Sequence, residues 1–104
     1  MTDIVGAMLA LMLVGNTHYV DVGGPKDAVI YYRDSATTHM TLPDGKTFKG
    51  QWRTTERGYF VAWQDGPQGE WRIAHTPGEF AYINPRGERA GHITRIVPGN
   101  AEKF

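Results

Sequence analysis

The sequence predicts a mainly β fold: a short N-terminal helix, then a seven- to eight-stranded antiparallel meander forming a strongly curved sheet or small barrel. Three observations carry this. From Ala28 to Val97, short apolar-polar segments alternate with Gly- and Pro-containing turns. The turns recur about every 8–12 residues, the spacing of sandwiches and barrels. Most links are of hairpin length, which favours antiparallel order over parallel crossovers. Ahead of these segments, Ile4 to Val14 is an unbroken run of apolar or small residues that stops at Gly15-Asn16. The 104 residues make one domain, with a helix at 2–14 and a β region at 17–97.

The helix opens at Thr2 or Asp3, either of which can cap it, with the acid at the favourable end. Ile4, Met8, Leu11 and Met12 form one apolar face, and Val5, Leu9 and Leu13 extend it around the cylinder. A helix with almost no polar side is covered on more than one side. It either plugs the end of a barrel or shares its surface with a second copy in a homodimer. The run is too short to span a bilayer. Asp3 stands where a signal peptide carries basic residues, and no clear small-residue cleavage site follows. The compartment is left open: periplasmic or secreted if a leader has been removed and Met1 added, cytoplasmic otherwise.

After Thr17 the pattern shifts to period two. His18–Val22 is the first strand, closed by Gly23-Gly24-Pro25, and Val29–Arg33 and Thr37–Leu42 follow. Pro43-Asp44-Gly45 is a tight-turn signal before Thr47–Thr54, which carries Phe48 and Trp52. Gly58–Trp63 places Tyr59, Val61 and Trp63 on one face and Phe60 and Ala62 on the other. Asp65-Gly66-Pro67 leads to Glu70–His75, then Phe80–Ile83, the turn Pro85-Arg86-Gly87, and a last strand His92–Val97. Gly50-Gln51-Trp52-Arg53 is echoed by Gly69-Glu70-Trp71-Arg72, which reads as two similar hairpins bent at glycine.

Taken in order, Gly15-Asn16-Thr17, Tyr31-Tyr32, Pro43-Asp44-Gly45, Gly50-Gln51-Trp52-Arg53 and a closing Pro98-Gly99-Asn100 form a series covering most of the chain. The series resembles a group of small bacterial β-rich proteins, often exported, of uncharacterised function. The resemblance implies the β fold and a bacterial source, and it assigns no functional residue. Members of that group often carry a Cys pair in the later strands; here Phe60 and the Trp71 region stand in that part of the chain, and no cysteine is present.

Composition narrows the function classes. The formal net charge is zero and the pI is near 6.9, so the basic footprint of nucleic-acid binding is missing. Without cysteine there is no disulfide, thiolate metal site or Cys nucleophile. The four histidines, His18, His39, His75 and His92, lack metal-site spacing and an accompanying acidic cluster, so neither metal nor cofactor is expected. Gly-x-Ser-x-Gly elbows, phosphate loops and dinucleotide fingerprints are absent. A chain this short can enclose only a small pocket, at a barrel mouth, a sheet face or a subunit interface.

Two groups of residues stand out. His18, Tyr19, Asp21, Tyr32 and His75 could supply an acid-base group in a barrel-mouth pocket, His being the natural proton carrier near neutral pH. The plainer reading makes the tyrosines half-buried aromatics and the acid a turn residue. Trp52, Trp63, Trp71 and Tyr59, flanked by Arg53 and Arg72, could form a platform for a flat ligand with an anionic group. Here the plainer reading is core, since a small domain needs large side chains to bury. The leading expectation is a non-catalytic binding module for a small molecule or a protein; the alternative is a small enzyme built on the His/Tyr/Asp group.

Overall fold

The computed structural model describes residues 2–104, so the question of whether Met1 is native lies outside the described residues. The elements in chain order are β1 (Thr2–Ile4), α1 (Gly6–Leu13), β2 (Asn16–Asp21), β3 (Ala28–Tyr32), β4 (Thr37–Thr41), β5 (Thr47–Thr54), β6 (Tyr59–Trp63), β7 (Gln68–Thr76), β8 (Glu79–Ile83) and β9 (Arg89–Pro98). From β2 to β9 each strand pairs antiparallel with the next, and β9 returns to β2. The result is a closed eight-stranded up-and-down barrel, which leaves no free sheet edge among those eight strands. The predicted antiparallel meander and its closure into a small barrel are thereby observed.

The helix differs from its prediction. Thr2–Ile4 is a strand, and α1 begins at Gly6 with Val5 at its N-cap and no side-chain cap. The reason lies in β7, whose first half pairs with β6 only as far as Trp71. Beyond it the β7 edge is open, and β1 fills it through Ile4↔Ile73, Asp3↔Ala74 and Thr2↔His75. Asp3 is not a cap: its carboxylate accepts from Arg72 Nη1 at 3.1 Å. Gly6, at φ +60°, turns the chain from strand into helix, a conformation an L side chain resists.

α1 plugs one end of the barrel. Leu9 and Leu13 are fully buried and Met12 packs against the core, while Met8 is 63% and Leu11 76% exposed. The buried face is therefore the Leu9/Leu13 side and not the Met8/Leu11 side. An all-apolar helix does not encode which side turns inward; its anchors decide. At its C-terminal end Asn16 Nδ2 donates to Met12 O (2.9 Å), and Gly15 N donates to Tyr32 O (2.7 Å).

The two end motifs meet in space and close the barrel. Asn16 pairs with Pro98 and Thr17 with Val97. Gly99 N donates to Gly15 O, Thr17 Oγ1 donates to Gly99 O, and Ala101 N donates to Thr17 Oγ1. The following residues fold over the outer wall, where the Phe104 ring stacks on Tyr31 and His39. The echoed glycines of β5 and β7 sit at close approaches: a Cβ on Gly50 would come within 2.8 Å of Ala62 O, and one on Gly69 within 2.5 Å of Pro85.

Candidate functional site

Strand alternation decides what reaches the interior. His18-Val20-Val22, Ala28-Ile30-Tyr32 and Tyr59-Val61-Trp63 each place every second residue inside the barrel. Near α1 these inward positions are polar rings, and further away they are aliphatic or indole groups.

The polar rings make a single hydrogen-bonded layer drawn from four strands. The Tyr32 hydroxyl lies 3.0 Å from that of Tyr59 and 2.8 Å from that of Tyr82. Tyr82 lies 2.9 Å from His18 Nδ1, and His18 Nε2 lies 2.9 Å from Met12 O. Donor bookkeeping fixes the direction. A carbonyl can only accept, so Nε2 carries the ring proton and Nδ1 accepts from Tyr82. Tyr82 must then accept from Tyr32, and Tyr32 from Tyr59. The chain runs Tyr59, Tyr32, Tyr82, His18, Met12, and every hydroxyl hydrogen in it is used.

Burial holds these groups neutral. Desolvation lowers His18 to about 4 against the opposing pull of its bond to Met12, and it pushes Tyr32, Tyr59 and Tyr82 well above the ordinary phenol value. Trp52 completes the layer edge-to-face with Tyr32 and Tyr59, at ring separations of 5.5 and 6.1 Å. Its indole N–H donates to Asp34 O at 3.0 Å.

On the far side of this layer from α1 lies a cavity of about 300 Å³. Val20, Ile30, Met40, Val61, Trp63 and Trp71 wall it, and the rings of Tyr32, Tyr59 and Tyr82 form its floor. It reaches the opposite end of the barrel at Val22, Leu42 and Pro67, in the links 22–27, 42–46 and 64–67. The lining is almost wholly carbon, because the floor hydroxyls bond one another and His18 beneath.

The sequence-predicted residues divide between the two sides of the wall. Of the acid-base group, His18 and Tyr32 come together inside, with ring centroids 5.2 Å apart. Tyr19 points outward: its hydroxyl donates to Glu102, a bond that raises its pKa, and Arg95 lies over its ring at 4.1 Å. Asp21 lies at the rim, and His75 is exposed towards the end of β7, stacked on Phe80, which packs against the core. No carboxylate bonds to His18, whose partners are Met12 O and Tyr82. Of the platform residues, Trp63, Trp71 and Tyr59 line the cavity and Trp52 is buried below them. Arg53 lies outside over Phe60, and Arg72 is engaged by Asp3. An exposed aromatic face flanked by these arginines is therefore not assembled, since rings and guanidinium groups alternate across the sheet.

Tyr82, Val61, Ile30 and Met40 were missed as site residues. Their signal was present: each lies two residues along its strand from another inward position, and period two alone selects them. Beside the mouth, Asp21, Arg89 and His92 line a second, shallower depression. His92 Nδ1 accepts from Arg89 at 3.2 Å, and its Nε2 faces Asp21 at 3.9 Å, beyond hydrogen-bond reach. Among the described residues no group of three or more His, Asp or Glu is placed to hold a metal ion. Among the described residues no helix is long and apolar enough to cross a membrane. No protein-family model, curated protein or solved structure matches the chain.

Proposed function

We propose that the protein is a non-catalytic binding barrel that takes a small molecule into its interior. The observation that supports this is the aromatic-walled cavity, open at the end opposite α1 and large enough for a ligand at the small end of the usual range. A core that size left empty forfeits dispersion contacts along its whole lining, and a bound molecule would restore them. The test is titration with the uncharged dye N-phenyl-1-naphthylamine, read by dye fluorescence and by the emission of Trp63 and Trp71. Saturable one-to-one binding is expected, and Ala28→Phe, which fills the cavity from its wall, should weaken it at least about tenfold while the fold is retained. Binding that survives Ala28→Phe unchanged contradicts the reading.

The kinship with small bacterial β-rich proteins belongs to the same proposal and rests on motif order alone. Homodimer formation through α1 is also proposed, supported by the exposed side chains of Met8 and Leu11. Leu9 is a core residue, so the informative variant is Leu11→Lys. Sedimentation should give a dimer for the parent chain and a monomer for the variant; a parent monomer removes the proposal.

A further inference from the structure

Resting on that reading, we infer that the cavity selects uncharged, largely apolar molecules, and discriminates against ligands that bring a hydrogen-bond acceptor without a donor to their inner end. Three observations point the same way. The first is the floor. Three tyrosines face the cavity, and a phenol commonly serves as the polar anchor of a ligand site. Here the donor of each is already spent in the chain from Tyr59 to His18, and the chain ends on a helix carbonyl. A ligand carbonyl or carboxylate arriving at the floor would need a hydroxyl to leave its present partner. The ligand would gain one bond and the protein would lose one, while the ligand also gave up its own hydration.

The second observation is the wall. Val20, Ile30, Met40 and Val61 carry no side-chain N–H or oxygen, and the lining with Trp63 and Trp71 presents almost no polar surface, so a polar group part-way up finds little to bond either. The third is the rim. The links 22–27, 42–46 and 84–88 each carry one cation and one anion, and 64–67 adds Asp65. The mouth therefore offers no cationic excess to hold an anionic head group, which argues against fatty acids and aromatic carboxylates as the natural class. Volume sets the scale. An engineered apolar cavity of about 150 Å³ holds benzene, so about 300 Å³ accommodates roughly twice as many carbon atoms. A bicyclic aromatic or alicyclic molecule fits this description, with the Trp and Tyr rings supplying flat contact surfaces.

The probes are naphthalene, 2-naphthoate and 1,5-naphthyridine, each titrated into the intact protein and followed by tryptophan emission and calorimetry. The naphthyridine carries an acceptor nitrogen in each ring, so it cannot keep both in the mouth, whereas naphthoate can keep its carboxylate there and reports on the rim. Naphthalene is expected to bind saturably, the naphthyridine at least about tenfold more weakly, and the carboxylate no more tightly. Naphthyridine binding as tight as that of naphthalene, or naphthoate binding tighter than it, would overturn the selectivity while leaving the binding site standing. Failure of all three probes would instead remove the small-molecule reading itself.

Discussion

His18 is enclosed by the Met12 carbonyl, the Tyr32 ring and the Tyr82 hydroxyl, with no opposite charge against it. Protonating it would place an N–H on Nδ1, facing a hydroxyl that now donates to that nitrogen. Burial withholds water from the imidazolium, which outweighs the favourable bond to Met12, and the pKa falls to about 4 while the unfolded chain keeps the ordinary 6.5. Below about pH 6.5 the unfolded state therefore binds the proton first, and stability drops as pH falls toward 4. The loss amounts to about 3 kcal/mol over that window. Urea unfolding as a function of pH should show it, and His18→Gln, which offers an amide donor and acceptor but no titrating ring, should flatten the profile there. Tyr32→Phe removes the hydroxyl that accepts from Tyr59 and donates to Tyr82, stranding buried groups on both sides. It should cost about 2 kcal/mol in urea unfolding, with the slope unchanged. At this scale the inward face of the first strand is legible, since alternation along His18–Val22 puts His18 with Val20 and Val22. The Tyr–Tyr–Tyr–His chain is not, because Tyr32, Tyr59 and Tyr82 come from strands far apart in sequence and only closure brings them together.

α1 works as a plug through one face alone. Leu9→Ala should lower stability by about 3 kcal/mol, because a fully buried leucine leaves a cavity behind. Leu11→Ala should stay within about 0.5 kcal/mol, its side chain being mostly exposed. Thermal or urea unfolding of the two variants measures this contrast, and equal effects would contradict the observed orientation. The sequence announced the helix by its apolar run, yet it misplaced the start, because a three-residue strand at Thr2–Ile4 has no periodicity to read. What defines β1 is the vacancy on β7 beyond Trp71, a tertiary fact. The Gly15-Asn16-Thr17 and Pro98-Gly99-Asn100 motifs were visible as turn signals. Their pairing with one another became evident only once β9 was seen to return to β2.

For the whole molecule, closure of the sheet turns an aromatic-rich sequence into an inner and an outer surface. Alternation sends Trp63, Trp71 and Tyr59 inward while Arg53 and Arg72 go outward, so the aromatic supply noted in the sequence lines a cavity instead of an exposed platform. The barrel class was legible because strand length, turn spacing and hairpin links all agree. The cavity was not, since its existence depends on how completely eight rows of inward side chains fill the space between them. α1 seals one end and the polar ring layer makes a floor above it, which leaves the opposite end as the entrance. The most direct measurement of this account is a crystal of the protein pressurised with xenon, which enters dry apolar cavities. An anomalous peak is predicted among Val61, Trp63, Trp71 and the ring of Tyr59, above the hydroxyl layer. An interior without xenon, filled by repacked side chains or by ordered water bonded to Tyr59, would contradict it.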